Sequence, residues 1–172
     1  SVLSRGLGDV YKRQFIERVV ALSDVDHLLL IDDGSSDATV AVIRAWQQRH
    51  ADQAVTLLEL TRNFGKEAAM LAGLDYANAR CAAAVLIDSD LQHPPERIPV
   101  MVQAWRDGAE VVTAVRDDRD AEGLVKVATA SWFYRVFNRL VDSIQLQEGA
   151  GDFRLLSAPV VEAVTQLREA TR

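Results

Sequence analysis

Short apolar runs alternate with longer segments of helical spacing along most of the chain. HLLLI (27–31), AVTLLEL (54–60), AAAVLI (82–87) and EVVTAV (110–115) are apolar, partly β-branched runs that predict buried strands. SSDATVAVIRAWQQRH, GKEAAMLAGLDYANA and the segment from Pro94 to about Arg106 predict helices, the first capped by Ser35 or Ser36. Repeated strand–helix–strand units predict an α/β fold, a mostly parallel sheet with helices on both faces.

The two ends of the chain depart from this pattern. Residues 1–14, SVLSRGLGDVYKRQ, show neither strand alternation nor a helical stripe, and they resemble a translated library adapter. A helical remnant is predicted over residues 15–22, and the chain stops at Arg172 inside a further predicted helix. We therefore expect a non-native leader at residues 1–14, one domain over residues 15–172, and cuts at both ends.

Composition and charge exclude several classes of protein. The chain has 172 residues and 49% hydrophobic content, which suffices for one globular core. Its net charge of -6 argues against a nucleic-acid binder. Cys81 is the single cysteine, so no internal disulfide can form and a reducing compartment is favoured. No apolar stretch approaches the ~18 residues of a membrane span, so we expect the chain as given to be soluble.

Two of the predicted strands end in acids. Asp32 and Asp33 follow HLLLI, and Asp88 and Asp90 follow AAAVLI. In open α/β sheets, ligands bind at the carboxyl ends of the strands. Residues two apart in extended chain face the same side, so Asp88 and Asp90 can converge on a hard cation, which would relieve their repulsion. Alternatively, Asp88 caps a turn and Asp90 caps a helix; the spacing alone does not decide.

Four ordered motifs give the chain a resemblance to a known family. LLLIDDGSSDAT, LTRNFGKEAAMLAGLDYA, LIDSDLQHPPE and GAGDFRLLSAPVV resemble family 2 glycosyltransferases of the polyprenyl-phosphate branch, the dolichyl-phosphate mannose or glucose synthase type. The resemblance covers residues 15–172. It implies a GT-A fold, a nucleotide-sugar donor of the UDP-glucose or GDP-mannose class, and Mg²⁺ or Mn²⁺. It also implies inverting transfer of a hexose to undecaprenyl or dolichyl phosphate at the cytoplasmic face of a membrane.

The resemblance assigns roles on the donor side. Asp33 would receive the nucleobase, with Asp32 beside it. Asp88 would contact the ribose or the metal, Asp90 would be the principal metal ligand, and Gln92 would help to hold the diphosphate or the metal.

Three further polar residues lie near these motifs. Asn63 and Lys66 would line the donor pocket, although a turn residue is an equally good interpretation of Asn63. His93 stands where the family more often has an acid. We expect it to be a solvent-facing loop residue; the alternative is an extra metal ligand.

The acceptor side is expected after the fourth strand. Over residues 125–140, apolar positions follow helical spacing and the charged residues are all basic. Periodicity alone favours a core helix, whereas the resemblance implies that this segment approaches a membrane surface and the lipid phosphate. Arg116, Lys126 and Ser131 would then grip the acceptor phosphate, arginine by its planar fork of donors.

The acceptor's chemistry decides whether a base is needed. A lipid phosphate is anionic near neutral pH, so its oxygen can attack without losing a proton. A sugar hydroxyl would need a carboxylate base, and Asp152 is the motif acid placed for that task. For a lipid phosphate, Asp152 would instead orient the sugar, and Arg154 would support its loop.

Two alternatives stay open. The first is a receiver-type signalling domain, which LLLIDDG resembles but which the missing aspartate after AVTLLEL disfavours. The second is an impaired or inactive fragment. The family's first strand, with a P-x-Y-N-E type motif, is expected before Phe15 and has no match in residues 1–14. The full-length parent is expected to be membrane-anchored.

Overall fold

The structure, a computed structural model, describes residues 8–114, 125–128 and 153–170. In chain order its elements are α1 Gly8–Val20, β1 Leu28–Asp32, α2 Thr39–Arg49, β2 Val55–Glu59, α3 Lys66–Ala77, β3 Ala83–Leu86, a 3-10 turn Pro95–Arg97, α4 Ile98–Arg106, β4 Val111–Ala114, β5 Val125–Ala128, β6 Arg154–Ser157 and α5 Ala158–Ala170. The described residues divide into two compact units. The first runs to Tyr76 and includes Asp88–Arg97, and the second comprises Ala77–Ile87 and the residues from Ile98 onward.

The first unit is built on the parallel pair β1 and β2. Leu28 is in register with Val55 and Asp32 with Glu59, so both strands end at the same level. Helix α1 packs on α2 and β1, and α2 packs on β2. The buried apolar side chains of this unit are Phe15, Ile16, Val19, Leu28, Val42, Ile43, Trp46, Ala69 and Leu74. The packing of these side chains holds β1 and β2 in place, and it thereby positions the acids at the end of β1.

The second unit contains β3, β6, β4 and β5, hydrogen-bonded in that order. Strand β6 is antiparallel to both β3 and β4, and β5 is antiparallel to β4. Helices α4 and α5 pack on this sheet. Parallel pairing is thus confirmed for β1 and β2, while β6 lies between β3 and β4, a placement that the apolar runs alone do not predict.

Helix α2 begins differently from the expected serine cap. Its N-cap is Ala38, which has no side-chain capping bond, and Asp37 takes over that task. Asp37 Oδ1 accepts from the backbone N–H of Thr39, at 3.0 Å, and from its hydroxyl. Lys12, whose side chain is 4% exposed, donates to Thr39 Oγ1 and lies 3.6 Å from Asp37 Oδ2. The expectation of Ser35 or Ser36 as the cap is wrong, because the acid two residues before Thr39 reaches the free backbone donor.

Acid should destabilise the start of α2. The bonds from the Thr39 hydroxyl and backbone N–H, with the nearby Lys12 ammonium, lower the pKa of the Asp37 carboxyl below its usual 3.8. A folded pKa below the unfolded one stabilises the fold above the unfolded pKa, and this contribution is lost as the pH falls through that range. Urea unfolding from pH 7 to pH 3 should show a smaller loss of stability in Asp37→Asn than in the wild type. If both proteins lost the same stability between pH 7 and pH 3, the role of Asp37 as the acid that caps α2 would be wrong.

Helix α1 also differs from expectation. Residues 8–14 are helical, so the prediction of no regular structure there is wrong. The apolar stripe is hard to see in the sequence because one of its buried positions is the charged Lys12, whose ammonium donates to Thr39. Six residues later, Arg18 donates to both carboxylate oxygens of Glu96, and these hydrogen bonds lower the pKa of Glu96.

The segment expected as an acceptor-side helix also starts differently. Residues 125–128 form strand β5, with Lys126 opposite Thr113 of β4, so a helix beginning at Val125 is wrong. The remainder of that segment lies outside the described residues. In the part of the chain that the structure describes, no helix has both the length and the apolar content needed to cross a bilayer.

Candidate active site

The four acids predicted on the donor side lie in the first unit. Asp32 closes β1, Asp33 follows it, and Asp88 and Asp90 lie in the segment Asp88–Arg97 of the same unit. Lys66, the first residue of α3, forms an ion pair with Asp88. The structure therefore confirms that acids follow β1 and β3.

Asp33 is hydrogen-bonded to the loop before α3. Its Oδ1 accepts from the backbone N–H of Phe64 at 2.7 Å, and its Oδ2 accepts from that of Gly65 at 2.8 Å. Both carboxylate oxygens therefore accept hydrogen bonds from backbone donors that the sequence pattern does not predict. Charge-assisted bonds of this kind are stronger than neutral ones, so they fix the loop against the end of β1.

Gly34 makes that close approach possible. Its φ of +69° is in the left-handed region, and a Cβ there would lie 2.5 Å from the carbonyl carbon of Arg62. The turn after β1 and the loop before α3 are thus in backbone contact. The sequence signal for this contact is the glycine that follows the acid pair, which only a close approach or a positive φ requires.

Asp32 is the most buried acid of the site. Its side chain is 3% exposed, and its Oδ2 accepts from the backbone N–H of Ser35 at 3.0 Å. Among the described residues, no donor lies within hydrogen-bonding distance of Oδ1. A buried carboxylate oxygen without a donor is costly, so this atom is a candidate acceptor for a ligand's N–H or O–H group.

Asp88 and Asp90 have different surroundings. Asp88 Oδ2 lies 2.7 Å from Lys66 Nζ, with side chains 23% and 36% exposed respectively. Asp90 is exposed, and its Oδ1 accepts from the backbone N–H of Gln92 at 2.9 Å. Leu91, which lies between Asp90 and Gln92, has a φ of +61°, a strained conformation for a residue with a side chain. The expectation that Asp90 caps a helix is therefore wrong, because its carboxylate accepts from the Gln92 amide within a turn.

The other predicted residues are spread over both units. Gln92 and Asn63 are exposed loop residues of the first unit, and His93 is half-buried and not simply solvent-facing. Arg154 begins β6 in the second unit, opposite Thr113 and Leu86. Of Lys126 the structure describes the strand position alone. Arg116, Ser131 and Asp152 lie outside the described residues.

The donor set at Asp88 and Asp90 fits a hard divalent cation in its chemistry. Carboxylate oxygens are the ligands that Mg²⁺ and Mn²⁺ prefer. Within the described ranges, no group of three or more His, Cys, Asp or Glu residues converges as a complete metal site. The side chains present would therefore supply part of a coordination shell and leave the rest to substrate and water.

Comparisons with known proteins find relatives that are named as glycosyltransferases. Relatives include a bactoprenol glucosyl transferase of Shigella phage SfV and a prophage bactoprenol glucosyl transferase homolog of Escherichia coli K12. Each is 44% identical over 142 residues, covering 83% of this chain and 45% of the relative. An uncharacterised glycosyltransferase of Synechocystis is 39% identical over 159 residues, covering 92% of this chain and 48% of the relative. The chain thus spans about half the length of the curated relatives it matches.

The fold and the family are shown independently. A mannosyltransferase from Pyrobaculum calidifontis, solved in complex with GDP-Man and Mn²⁺, matches with a TM-score of 0.64 at 21% identity, covering 91% of this chain and 43% of that one. This likeness confirms the predicted α/β fold of the GT-A class. The profile described as Glycosyl transferase family 2 matches residues 11–165, and on this match the chain belongs to glycosyl transferase family 2.

Proposed function

We propose that the chain is the catalytic part of an inverting glycosyltransferase that moves a hexose from a nucleotide-sugar to a polyprenyl phosphate. The observation that carries the proposal is the 44% identity with relatives named bactoprenol glucosyl transferase. Their name favours glucose as the sugar, and hence a UDP-glucose donor over GDP-mannose. The acids after β3 support the proposal chemically, since they could hold a divalent cation that would neutralise the negative charge on a departing diphosphate.

On the donor side, the base would bind beside β1. Asp32 Oδ1 is a buried acceptor without a described donor, which suits an N–H of the base or a ribose hydroxyl. Asp33 engages the loop amides with both oxygens, so we assign it to shaping this pocket alongside its expected contact with the base. Asn63 and Lys66 belong to the same loop and the start of α3, and they would face the donor's phosphates.

A divalent cation, Mg²⁺ or Mn²⁺, would be held by Asp88 and Asp90 with help from Gln92. When bound, such an ion stabilises the negative charge that develops on a departing nucleoside diphosphate. Asp90 is the exposed member of the pair and retains an oxygen beyond the one bonded to the Gln92 amide, so we assign it as the principal ligand. The Asx turn at Asp90 and the left-handed Leu91 would fix the direction of this carboxylate.

On the acceptor side, the phosphate oxygen attacks the anomeric carbon opposite the departing diphosphate. Because a phosphate monoester is already anionic, positioning by Arg116, Lys126 and Ser131 would replace general-base catalysis. Asp152 would orient the sugar, and Arg154 would support the Asp152 loop. A lipid acceptor places this chemistry at a membrane surface, on the cytoplasmic side where nucleotide-sugars are made.

The test compares acceptors that differ in one group. The chain is incubated with labelled UDP-glucose or GDP-mannose, Mn²⁺, and vesicles containing undecaprenyl phosphate or the matching polyprenol without phosphate. We expect labelled hexose in the lipid fraction with UDP-glucose and the phosphate acceptor, and none with the polyprenol. In a parallel reaction with a free oligosaccharide as acceptor, transfer to a sugar hydroxyl that Asp152→Asn abolishes would support the base-catalysed alternative. Equal transfer to both lipids, or transfer to neither, would contradict the proposal.

A further inference from the structure

An ammonium group already neutralises one of the two carboxylates assigned to the metal. Lys66 Nζ lies 2.7 Å from Asp88 Oδ2, within ion-pair and hydrogen-bond distance. A lysine and a divalent cation bound to the same carboxylate would repel each other. While this contact persists, Lys66 competes with a metal ion for Asp88.

Lys66 is held in this position by its backbone. It is the first residue of α3, directly after the loop whose Phe64 and Gly65 amides donate to Asp33. Gly34 brings the end of β1 into backbone contact with the same loop at Arg62. Asp33 thus anchors the start of α3, and the lysine stem reaches from this anchored point to Asp88.

The ion pair is also easy to exchange. The Lys66 side chain is 36% exposed and the Asp88 side chain is 23% exposed, so water screens their attraction. Lysine carries a compact charge on a flexible stem with freely rotating donors, and phosphate groups are common partners for it. A nucleoside diphosphate bound beside Asp88 would offer the ammonium an anion of higher charge than a single carboxylate.

We propose that Lys66 is a resident counter-ion that competes with the divalent cation for Asp88 and is drawn away by the diphosphate of the donor. This inference rests on the proposed function and goes beyond it, because it makes Lys66 the residue that couples the two binding events. Without nucleotide, the lysine weakens metal binding. With nucleotide, the same lysine strengthens the complex through the phosphate.

Thermodynamic linkage relates the affinity for the metal to the affinity for the nucleotide. If the nucleotide raises the affinity for the metal, the metal must raise the affinity for the nucleotide by the same factor. Removing the ammonium should therefore have opposite effects on the two affinities. It should strengthen the binding of metal alone and weaken the binding of nucleotide, and the coupling factor should shrink. A purely structural role of Lys66 would weaken both affinities together.

The experiment measures Mn²⁺ binding by electron paramagnetic resonance, with and without saturating UDP, for the whole chain. Lys66→Met removes the charge and keeps the length of the stem, while Lys66→Arg keeps the charge. Arg44→Met is the matched control, since it removes one cation from the ion pair between Arg44 and Glu59 and leaves Asp88 untouched. Circular dichroism checks that every variant folds.

We expect Lys66→Met to bind Mn²⁺ alone about fivefold more tightly than the wild type, the size of effect that a part-exposed ion pair indicates. UDP should then raise the Mn²⁺ affinity of Lys66→Met less than that of the wild type, while Lys66→Arg and Arg44→Met retain the wild-type coupling. Unchanged or weaker binding of Mn²⁺ alone by Lys66→Met would overturn the inference and leave the proposed function standing. Absence of Mn²⁺ binding by the wild type, with UDP and with GDP, would overturn both.

Discussion

Replacing Asp90 with asparagine is expected to lower the rate of hexose transfer by about a thousandfold, the scale found when a main electrostatic stabiliser of a transition state is removed. The amide keeps the size of the side chain and can still accept the bond from the Gln92 amide that forms the turn. What it loses is the negative charge that would hold a divalent cation. The measurement is the initial rate of lipid-linked hexose formation at saturating Mn²⁺.

The matched control for this change is Asp52→Asn. Asp52 is an exposed acid in the turn before β2, and its described contact is with the side chain of its neighbour Gln53. We expect Asp52→Asn to retain the wild-type rate, and both variants to unfold at the wild-type urea concentration. An Asp90→Asn protein within tenfold of the wild-type rate would show that this carboxylate is not the principal metal ligand.

Replacing Gly34 with alanine is expected to destabilise the fold by about 3 kcal/mol or more. A left-handed backbone costs an alanine about 1–2 kcal/mol, and overpacking adds about 1–3 kcal/mol. The overlap here is with backbone, since the new Cβ would lie 2.5 Å from Arg62 C and 2.6 Å from Asn63 N. The loop cannot easily move away, because Asp33 holds it two residues further along the chain. Urea unfolding measures the loss.

Gly108→Ala separates the two contributions to that cost. Gly108 also has a positive φ, +103°, but a Cβ there would meet nothing within 4 Å. It should lose only the conformational part, about 1–2 kcal/mol. If Gly34→Ala and Gly108→Ala lost the same stability, the close contact between the β1 turn and the loop before α3 would be wrong.

The strands and their acids are predictable from sequence for a simple physical reason. A strand buried in a sheet needs continuous apolar side chains, and β1 to β4 each coincide with such a run. Burying an acid inside such a run is costly, and β1 and β2 contain acids only at their last positions, Asp32 and Glu59. Asp33 and Asp88 lie where the chain has left the sheet. Local pattern therefore places the candidate site at the ends of β1 and β3.

The contacts that organise the site are beyond local pattern. Asp33 bonds to amides 31 and 32 residues away, and Lys66 reaches across 22 residues to Asp88. These pairings depend on loop conformation, which a positive φ at Gly34 and Gly65 controls. Glycines in the sequence indicate where such loop conformations occur, but they do not predict which acid accepts a hydrogen bond from which donor.

Two of the wrong expectations have a similar origin. The run VKVA is too short for periodicity to distinguish a strand from a helix, and pairing with β4 decides for the strand. In the stretch SSDAT several residues are able to cap a helix, and the packing of Lys12 against Thr39 selects Asp37. Tertiary contacts settle both choices.

The central claim, that Asp90 helps to bind a nucleotide through a divalent cation, is tested most directly by calorimetric titration of the chain with UDP and with GDP. Each titration is run with Mn²⁺ and with a chelator, for the wild type and for Asp90→Asn. We predict that the wild type binds UDP in preference to GDP and only with Mn²⁺, and that Asp90→Asn loses this metal-dependent binding. Equal affinity with Mn²⁺ and with chelator, or unchanged binding by Asp90→Asn, would contradict the account.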